Sequence, residues 1–253
     1  MTGAVAEVSV LSKSFGGLRA LAEVTFDIRP GEILGIIGPN GAGKTALINT
    51  MTGFYRADSG RVRFAGRDIT RLPIHHIGRL GIARTFQNIR LFRRMTALEN
   101  VMVASPRCTT APFRALLRWR RRHEMAAAFD VLASVGLADK ADQMAGTLAY
   151  GDARRLEIAR ALASSPQLLL LDEPAAGMNE RESAALVEDI SRLRQRLAAI
   201  VLIEHDMAVV RSLANRLLAL DAGRVVTDGP PDAVLRHPQV VEAYLGEEAP
   251  DRA

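Results

Sequence analysis

Gly38-Pro39-Asn40-Gly41-Ala42-Gly43-Lys44-Thr45 is the stretch that decides the fold. It has the spacing G-x-x-x-x-G-K-[ST]. It lies between a β-branched run, Ile33 to Ile37, and a stretch with helical character, Lys44 to Met51. A strand feeding a glycine-rich loop that opens a helix is the context in which this spacing binds phosphate. Glycines let the backbone curl so that successive N–H groups face phosphate oxygens. The helix starting near Gly43 adds the positive end of its dipole. Lys44 is placed to neutralise the β- and γ-phosphate oxygens, and Thr45 offers a hydroxyl to Mg²⁺. The expected ligand is therefore a Mg²⁺-bound nucleoside triphosphate. The chain has no G-x-G-x-x-G, which disfavours a dinucleotide fold.

A second stretch completes the chemistry. Leu168-Leu169-Leu170-Leu171-Asp172-Glu173-Pro174 is an apolar run ending in two acids. A buried strand of this kind delivers carboxylates to the C-terminal edge of a sheet, where α/β folds bind ligands. Asp172 is placed to hold the Mg²⁺ shell, and Glu173 is the candidate general base for an attacking water. By itself the pair could be an acidic turn; beside a phosphate loop it reads as a hydrolytic centre.

The rest of the chain alternates strands and helices. Val8 to Leu11, Val24 to Ile28, Ala199 to Ile203 and Leu217 to Leu220 read as strands, and Val62 and Phe64 suggest a further edge strand between Gly60 and Gly66. Asn179-x-x-Glu182 is a capping box predicting a helix to about Leu197. Between about 88 and 150, β-branched residues thin out, and Thr96 to Val103 and Phe113 to Val135 read as helices, a candidate helical subdomain within the core. The pattern implies a largely parallel sheet covered on both faces.

The 253 residues are 48% hydrophobic and 24% charged, ordinary for one large globular domain. A single cysteine, Cys108, excludes an intrachain disulfide and fits a reducing compartment. No apolar run reaches the length of a membrane helix and no signal peptide is evident, so the chain is expected neither to be secreted by the usual route nor to span a membrane. The formal charge is +5. Only Lys13, Lys44 and Lys140 are lysines among 33 basic residues, so the excess reflects an arginine-rich composition such as a GC-rich genome encodes. Against that background Lys44 stands out as a compact point charge. Arg118, Trp119, Arg120, Arg121 and Arg122 read as a solvated helix face or a surface near anionic lipid, and no nucleic-acid partner is expected. The five histidines have no zinc-ligand spacing.

Two further motifs carry a family resemblance over essentially the whole chain. Leu148-Ala149-Tyr150-Gly151-Asp152, followed by Arg154 to Leu162, resembles the L-S-G-G-Q signature and helix of ABC ATPases. Ile203-Glu204-His205-Asp206 resembles that family's switch-histidine motif, and Gln87 in Thr85-Phe86-Gln87 matches its Q-loop. Phe15 matches the aromatic that stacks on adenine. Ala83 to Phe92, Asp172 to Asn179 and the tail Ala243-Tyr244-Leu245-Gly246 look like the ATP-binding subunits of branched-chain amino-acid importers; importers of urea, short amides and aromatic acids share much of this. The resemblance implies a P-loop NTPase α/β fold of the ABC type, with an inserted helical subdomain and an antiparallel β portion. It implies one ABC domain over 1–253, its core at about 1–87 and 151–253 and its helical subdomain at about 88–150.

The same resemblance implies ATP and Mg²⁺ as ligands, with Glu173 and His205 catalytic. Residues Gly38 to Ala46, Phe15 and Gln87 would bind nucleotide, and Thr45, Gln87 and Asp172 would hold the metal. Ala149, Tyr150, Gly151 and Asp152 would meet the ATP of a second ATPase subunit. Membrane permease subunits, and through them a solute-binding protein, are the implied partners, on the cytoplasmic face of the membrane. The chain departs from the family pattern at Ala149, Asp152 and Ala153 in the signature, at Ala46, which lacks a hydroxyl donor, and at Glu180. The altered signature beside a complete phosphate loop leads to the expectation of an asymmetric heterodimer. A soluble ABC protein of translation or repair is disfavoured by the single cassette, an exporter motor by the importer-like residues, and a non-hydrolysing domain by Glu173 and His205.

Overall fold

Every residue of Ile33–Ile37 (β3), Leu168–Asp172 (β7) and Ala199–Ile203 (β8) is buried. Strands apolar on both faces need cover on both sides, which places them inside a parallel sheet. The computed structural model, which describes residues 3–105 and 118–247, shows that arrangement. With Ile82–Arg84 (β6), Arg216–Asp221 (β9) and Arg224–Gly229 (β10) they form a six-stranded sheet of order β10-β9-β3-β8-β7-β6. Its pairs are parallel except β9 with β10, an antiparallel hairpin at the edge. A second, antiparallel sheet of order β2-β1-β4-β5 comes from Ala6–Phe15 (β1), Leu18–Ile28 (β2), Ser59–Phe64 (β4) and Arg67–Asp68 (β5). The edge position expected for Val62 and Phe64 is corrected: β4 has β1 on one side and the two-residue β5 on the other.

Alternate side chains of the central strands enter separate apolar layers. Leu34, Ile36, Leu168, Leu170, Val201 and Ile203 meet Leu47 and Ile48 of Lys44–Met51 (α1) and the inner face of the antiparallel sheet. Leu169, Leu171, Ile200 and Leu202 meet Tyr150–Leu162 (α5), Glu180–Leu193 (α6) and Met207–Leu213 (α7) on the other side. Ile37, Leu217 and Ala219 are covered by Pro231–Leu235 (α8) and Pro238–Glu247 (α9). Burying one leucine or isoleucine side chain contributes about 1.5–3 kcal/mol, so these layers hold the strand ends rigidly in register.

Between β6 and β7 the regular elements of the described chain are helices, apart from one bridge between Thr96 and Met144. It holds Ala97–Ala104 (α3), Arg118–Ser134 (α4) and α5, while Ile74–Arg79 (α2) precedes β6. Thr96 caps α3 in a full capping box with Glu99, and Asn179 caps α6 in the same way with Glu182. Helix α6 ends at Leu193, four residues before the expected Leu197. Of the expected Phe113 to Val135 helix, residues 113–117 lie outside the described residues. So do Cys108 and the side chains of the 118–122 arginine cluster.

Candidate functional site

The phosphate loop takes its shape from two glycines that nothing else could replace. Gly38 follows β3 with φ of 150°, and a Cβ there would lie 2.1 Å from the Leu220 carbonyl oxygen. Gly43 precedes α1 with φ of 102°, and a Cβ there would lie 2.6 Å from Ala20 O. Both positions would clash in any L-residue with a side chain. Lys44 Nζ donates to Gly38 O at 2.5 Å and Pro39 O at 2.9 Å, so the ammonium lies within the curl of its own loop. The Gly38 N–H donates to the hydroxyl of Tyr244 at 2.8 Å. The end of the chain therefore fixes the start of the loop, a contact 206 residues apart that no local pattern reveals.

Strand β7 brings the acidic pair beside this loop. Asp172 is its last residue and is buried, with its N–H donating to Thr85 Oγ1 at 3.2 Å. Burial pushes the Asp172 carboxyl above the usual carboxylate range; Arg84 pulls it down, Glu173 pushes it up, and Arg154 and Lys44 pull it down. Arg84 Nη2 stands 3.5 Å from Asp172 Oδ2, and its Nη1 donates to Asn49 Oδ1 at 2.6 Å. Glu173 sits just past the strand with φ of 48°, a left-handed backbone rare outside glycine. Its N–H donates to Ile203 O at 2.9 Å, tying it to the end of β8. Gln87 Nε2 donates to Glu173 Oε2 at 2.9 Å, which leaves the carboxamide oxygen as an acceptor.

His205 follows β8 on the neighbouring loop, and its N–H donates to Glu204 Oε2 at 3.3 Å. Glu204 is buried, its carboxyl raised by that burial, and its Oε1 accepts the Ala175 N–H at 2.7 Å. One carboxylate therefore holds the histidine loop and the loop after Glu173 together. Asp206 caps α7, accepting from Ala208 N and Val209 N.

Phe15 and the signature residues stand in separate groups. Phe15 is 41% exposed, so it is not a core aromatic. Its ring meets Tyr55 edge-on at 4.9 Å, and Tyr55 meets Phe54 at 5.4 Å, giving an open aromatic shelf at the tip of the β1–β2 hairpin. Ala149 is the N-cap of α5, without a side-chain hydrogen bond to the helix. Tyr150 donates its hydroxyl to Ala176 O at 2.8 Å, and Gly151 packs against Glu182, where a Cβ would fall 2.9 Å from Oε1. Asp152 is engaged within its own chain: Lys140 Nζ lies 2.5 Å from one carboxylate oxygen and Arg155 Nη1 3.9 Å from the other. Arg84, Tyr55, Glu204 and Tyr244 stand in these networks without a role that sequence spacing had suggested.

The donor set suits Mg²⁺. Thr45, Asp172 and Gln87 offer a hydroxyl, a carboxylate and an amide oxygen, all hard ligands. Among the described residues no group of three His, Cys, Asp or Glu side chains could hold a metal unaided. An ion that keeps water and phosphate in most of its shell needs no more than this.

Comparison with known proteins agrees with the geometry. A family model described as "ABC transporter" matches residues 21–176, and one described as "Branched-chain amino acid ATP-binding cassette transporter" matches 224–250. The high-affinity branched-chain amino acid transport ATP-binding protein BraF of Pseudomonas aeruginosa is 43% identical, covering 98% of this chain and all of the relative. The corresponding LivG of Escherichia coli K12 is 42% identical over the same shares. The ADP conformation of MJ1267, an ATP-binding cassette of an ABC transporter, superposes with a TM-score of 0.86 at 32% identity, covering 97% of this chain and all of that one.

Proposed function

Because the chain belongs to the ABC transporter family, we propose that it is the ATP-hydrolysing motor subunit of an importer for branched-chain amino acids. The observation that carries the hydrolytic part is the bond from Gln87 to Glu173 beside Asp172 and the Lys44 loop. It joins the end of the acidic strand to the entry of the helical region, within the electrostatic reach of Lys44 on Asp172. The solute class is carried by the full-length likeness to BraF and LivG.

In this reading the backbone of the 38–45 loop and Lys44 hold the phosphates, and the Phe15–Tyr55 shelf takes the adenine. Mg²⁺ would be held by Thr45, Asp172 and Gln87 and would offset phosphate charge. Glu173 accepts a proton from a water molecule as the water oxygen bonds to the γ-phosphorus. The bond from that phosphorus to the bridging oxygen breaks, and its electron pair leaves with ADP. His205, on the loop after β8, would act on the same phosphate. Two ATPase subunits would sandwich two nucleotides, with Ala149 to Asp152 of one facing the phosphates on the other. ATP favours the closed pair by its differential affinity for it. The helical region at 88–150 would move as a subdomain and carry closure to membrane permease subunits at the cytoplasmic face. No described helix is long and apolar enough to cross a membrane.

The partner ATPase is a different chain in this proposal. Ala149 offers no hydroxyl, and the Asp152 carboxylate is neutralised within the chain by Lys140 and Arg155. A sister subunit with a full signature would supply the missing donors to this chain's phosphate loop. Losing one hydrogen bond to a charged group costs about 1.5–3 kcal/mol, enough to make the two sites unequal. The test co-purifies the chain with its permease and candidate sister, reconstitutes them, and measures uptake of leucine, isoleucine and valine against urea, amides and aromatic acids. ATP-dependent uptake of the branched-chain acids alone, requiring the sister, is the expected result. Uptake of another solute class overturns the solute assignment. Full-rate transport with this chain as the only ATPase overturns the heterodimer.

A further inference from the structure

Arg154 and Glu157 form the most deeply buried ion pair among the described residues, with side chains 0% and 2% exposed. They lie one turn apart on α5, and burial raises the Glu157 carboxyl while Arg154 holds it down. Such a pair is no aid to packing: apolar residues of similar volume usually serve stability as well or better. Arg154 Nε is even left without a partner. What the two charges hold is backbone. Arg154 donates from Nη1 to Phe86 O and from Nη2 to Gln87 O, each at 2.8 Å. Glu157 accepts Arg154 Nη1 on Oε2 at 2.9 Å and the Phe86 N–H on Oε1 at 3.4 Å.

Two paths lead from this guanidinium towards Glu173. In one, the Gln87 carboxamide donates to Glu173 at 2.9 Å. In the other, Arg154 Nη2 donates to the Tyr150 hydroxyl at 3.3 Å, and that hydroxyl donates to Ala176 O at 2.8 Å. Ala176 N–H closes the turn on Glu173 O at 3.3 Å. We propose that Arg154 and Glu157 are positioning residues for ATP hydrolysis, fastening the Phe86–Gln87 backbone to α5 so that the Gln87 carboxamide and the head of α5 approach Glu173 as one piece. The planar fork of arginine can grip two carbonyls at once, which a lysine ammonium on a flexible stem does not reproduce. The proposal rests on the reading of Gln87 and Glu173 as parts of the hydrolytic site. Neither Arg154 nor Glu157 would touch nucleotide.

The experiment uses the full chain, measuring ATP turnover in the presence of the sister ATPase, and equilibrium ATP binding and melting temperature on the chain itself. The variants are Arg154→Lys, the apolar double variant Arg154→Met with Glu157→Leu, and each of these with and without Gln87→Ala. Misplacing a reacting group by an ångström can lower a rate about 100-fold. The double variant is accordingly expected to stay folded and bind ATP within about threefold, yet turn over at least about tenfold more slowly. Gln87→Ala should lower turnover about tenfold or more in the wild-type background and less than about twofold further in the apolar background, because contacting groups couple. Arg154→Lys should lose at least about threefold in turnover with ATP binding kept. Turnover within twofold of wild type in Arg154→Lys or in the double variant overturns the proposal, and so does the same Gln87→Ala factor in both backgrounds. A double variant that fails to fold contradicts it too, since the pair would then be kept for stability. A Gln87→Ala change without effect on the wild-type chain instead overturns the reading of the site beneath it.

Discussion

Tyr244→Phe removes the hydrogen bond between the last described helix and the phosphate loop. The ring stays in the apolar layer with Ile37 and Val240, while the acceptor for the Gly38 N–H is removed. Leaving a buried donor unsatisfied costs about 1–3 kcal/mol. Tyr244 is half-buried, so water can replace part of the bond and the lower end, about 1 kcal/mol, applies. For a chain of this size that is a melting temperature about 2–4 °C lower. If the hydroxyl also keeps the loop curled for phosphate, the same 1 kcal/mol lowers the population of the competent loop and weakens ATP binding by up to about fivefold. Turnover at saturating ATP should stay within twofold, because Asp172, Glu173 and Gln87 are untouched. The assays are thermal unfolding with and without nucleotide, and titration with a fluorescent ATP analogue. An unchanged melting temperature together with unchanged affinity would refute the idea that the tail holds the loop. Loss of turnover with affinity intact would show that the tail acts somewhere other than the phosphate loop.

Lys44→Ala removes the cation from the loop, and with it about 1.5–3 kcal/mol of charge-assisted bonding; tight ATP binding by this variant in equilibrium titration would contradict the assignment. For Asp172 the sign follows from its raised carboxyl: the fold favours the protonated form, so the ionised group costs stability as pH climbs above the ordinary carboxylate range. Asp172→Asn is therefore predicted to melt no lower than wild type at neutral pH and to lose its advantage in acid, while hydrolysis falls by about 100-fold or more; lower melting at neutral pH would count against this balance. Leucine, isoleucine and valine are predicted not to bind the isolated chain, and saturable stoichiometric heat in calorimetry would overturn that.

The parts of the fold legible in the sequence are those where burial is total. Ile33–Ile37, Ala199–Ile203 and Leu168–Asp172 stand out because both faces are apolar, and α1 because glycines punctuate its start. Strand β10 left no such trace, since Arg224–Gly229 is half exposed and alternates weakly; only the turn at Ala222 and Gly223, both with positive φ, marks it as a hairpin. Strands β5 and β6, two and three residues long, are too short for any period. The site divides in the same way. Asp172 ends a buried strand, Glu173 follows it, and Lys44 opens the helix after the glycine-rich loop, so the local pattern gives their place. Arg84 reaches Asn49 and Asp172, Arg154 reaches Phe86 and Gln87, and Tyr244 reaches Gly38 only through tertiary packing. Arginine contacts of this kind leave no mark in a chain where arginine is the common cation.

The most direct test of an ATP-hydrolysing motor built on this centre is Glu173→Gln. The change keeps the shape of the side chain beside Gln87, removes the proton acceptor and removes one negative charge near the γ-phosphate. Steady-state phosphate release and ATP binding are measured on the same preparation. With the sister ATPase present, the account predicts turnover at this chain's site nearly abolished, ATP binding retained or tightened, and an ATP-bound heterodimer accumulating on size exclusion. Hydrolysis close to the wild-type rate would contradict it.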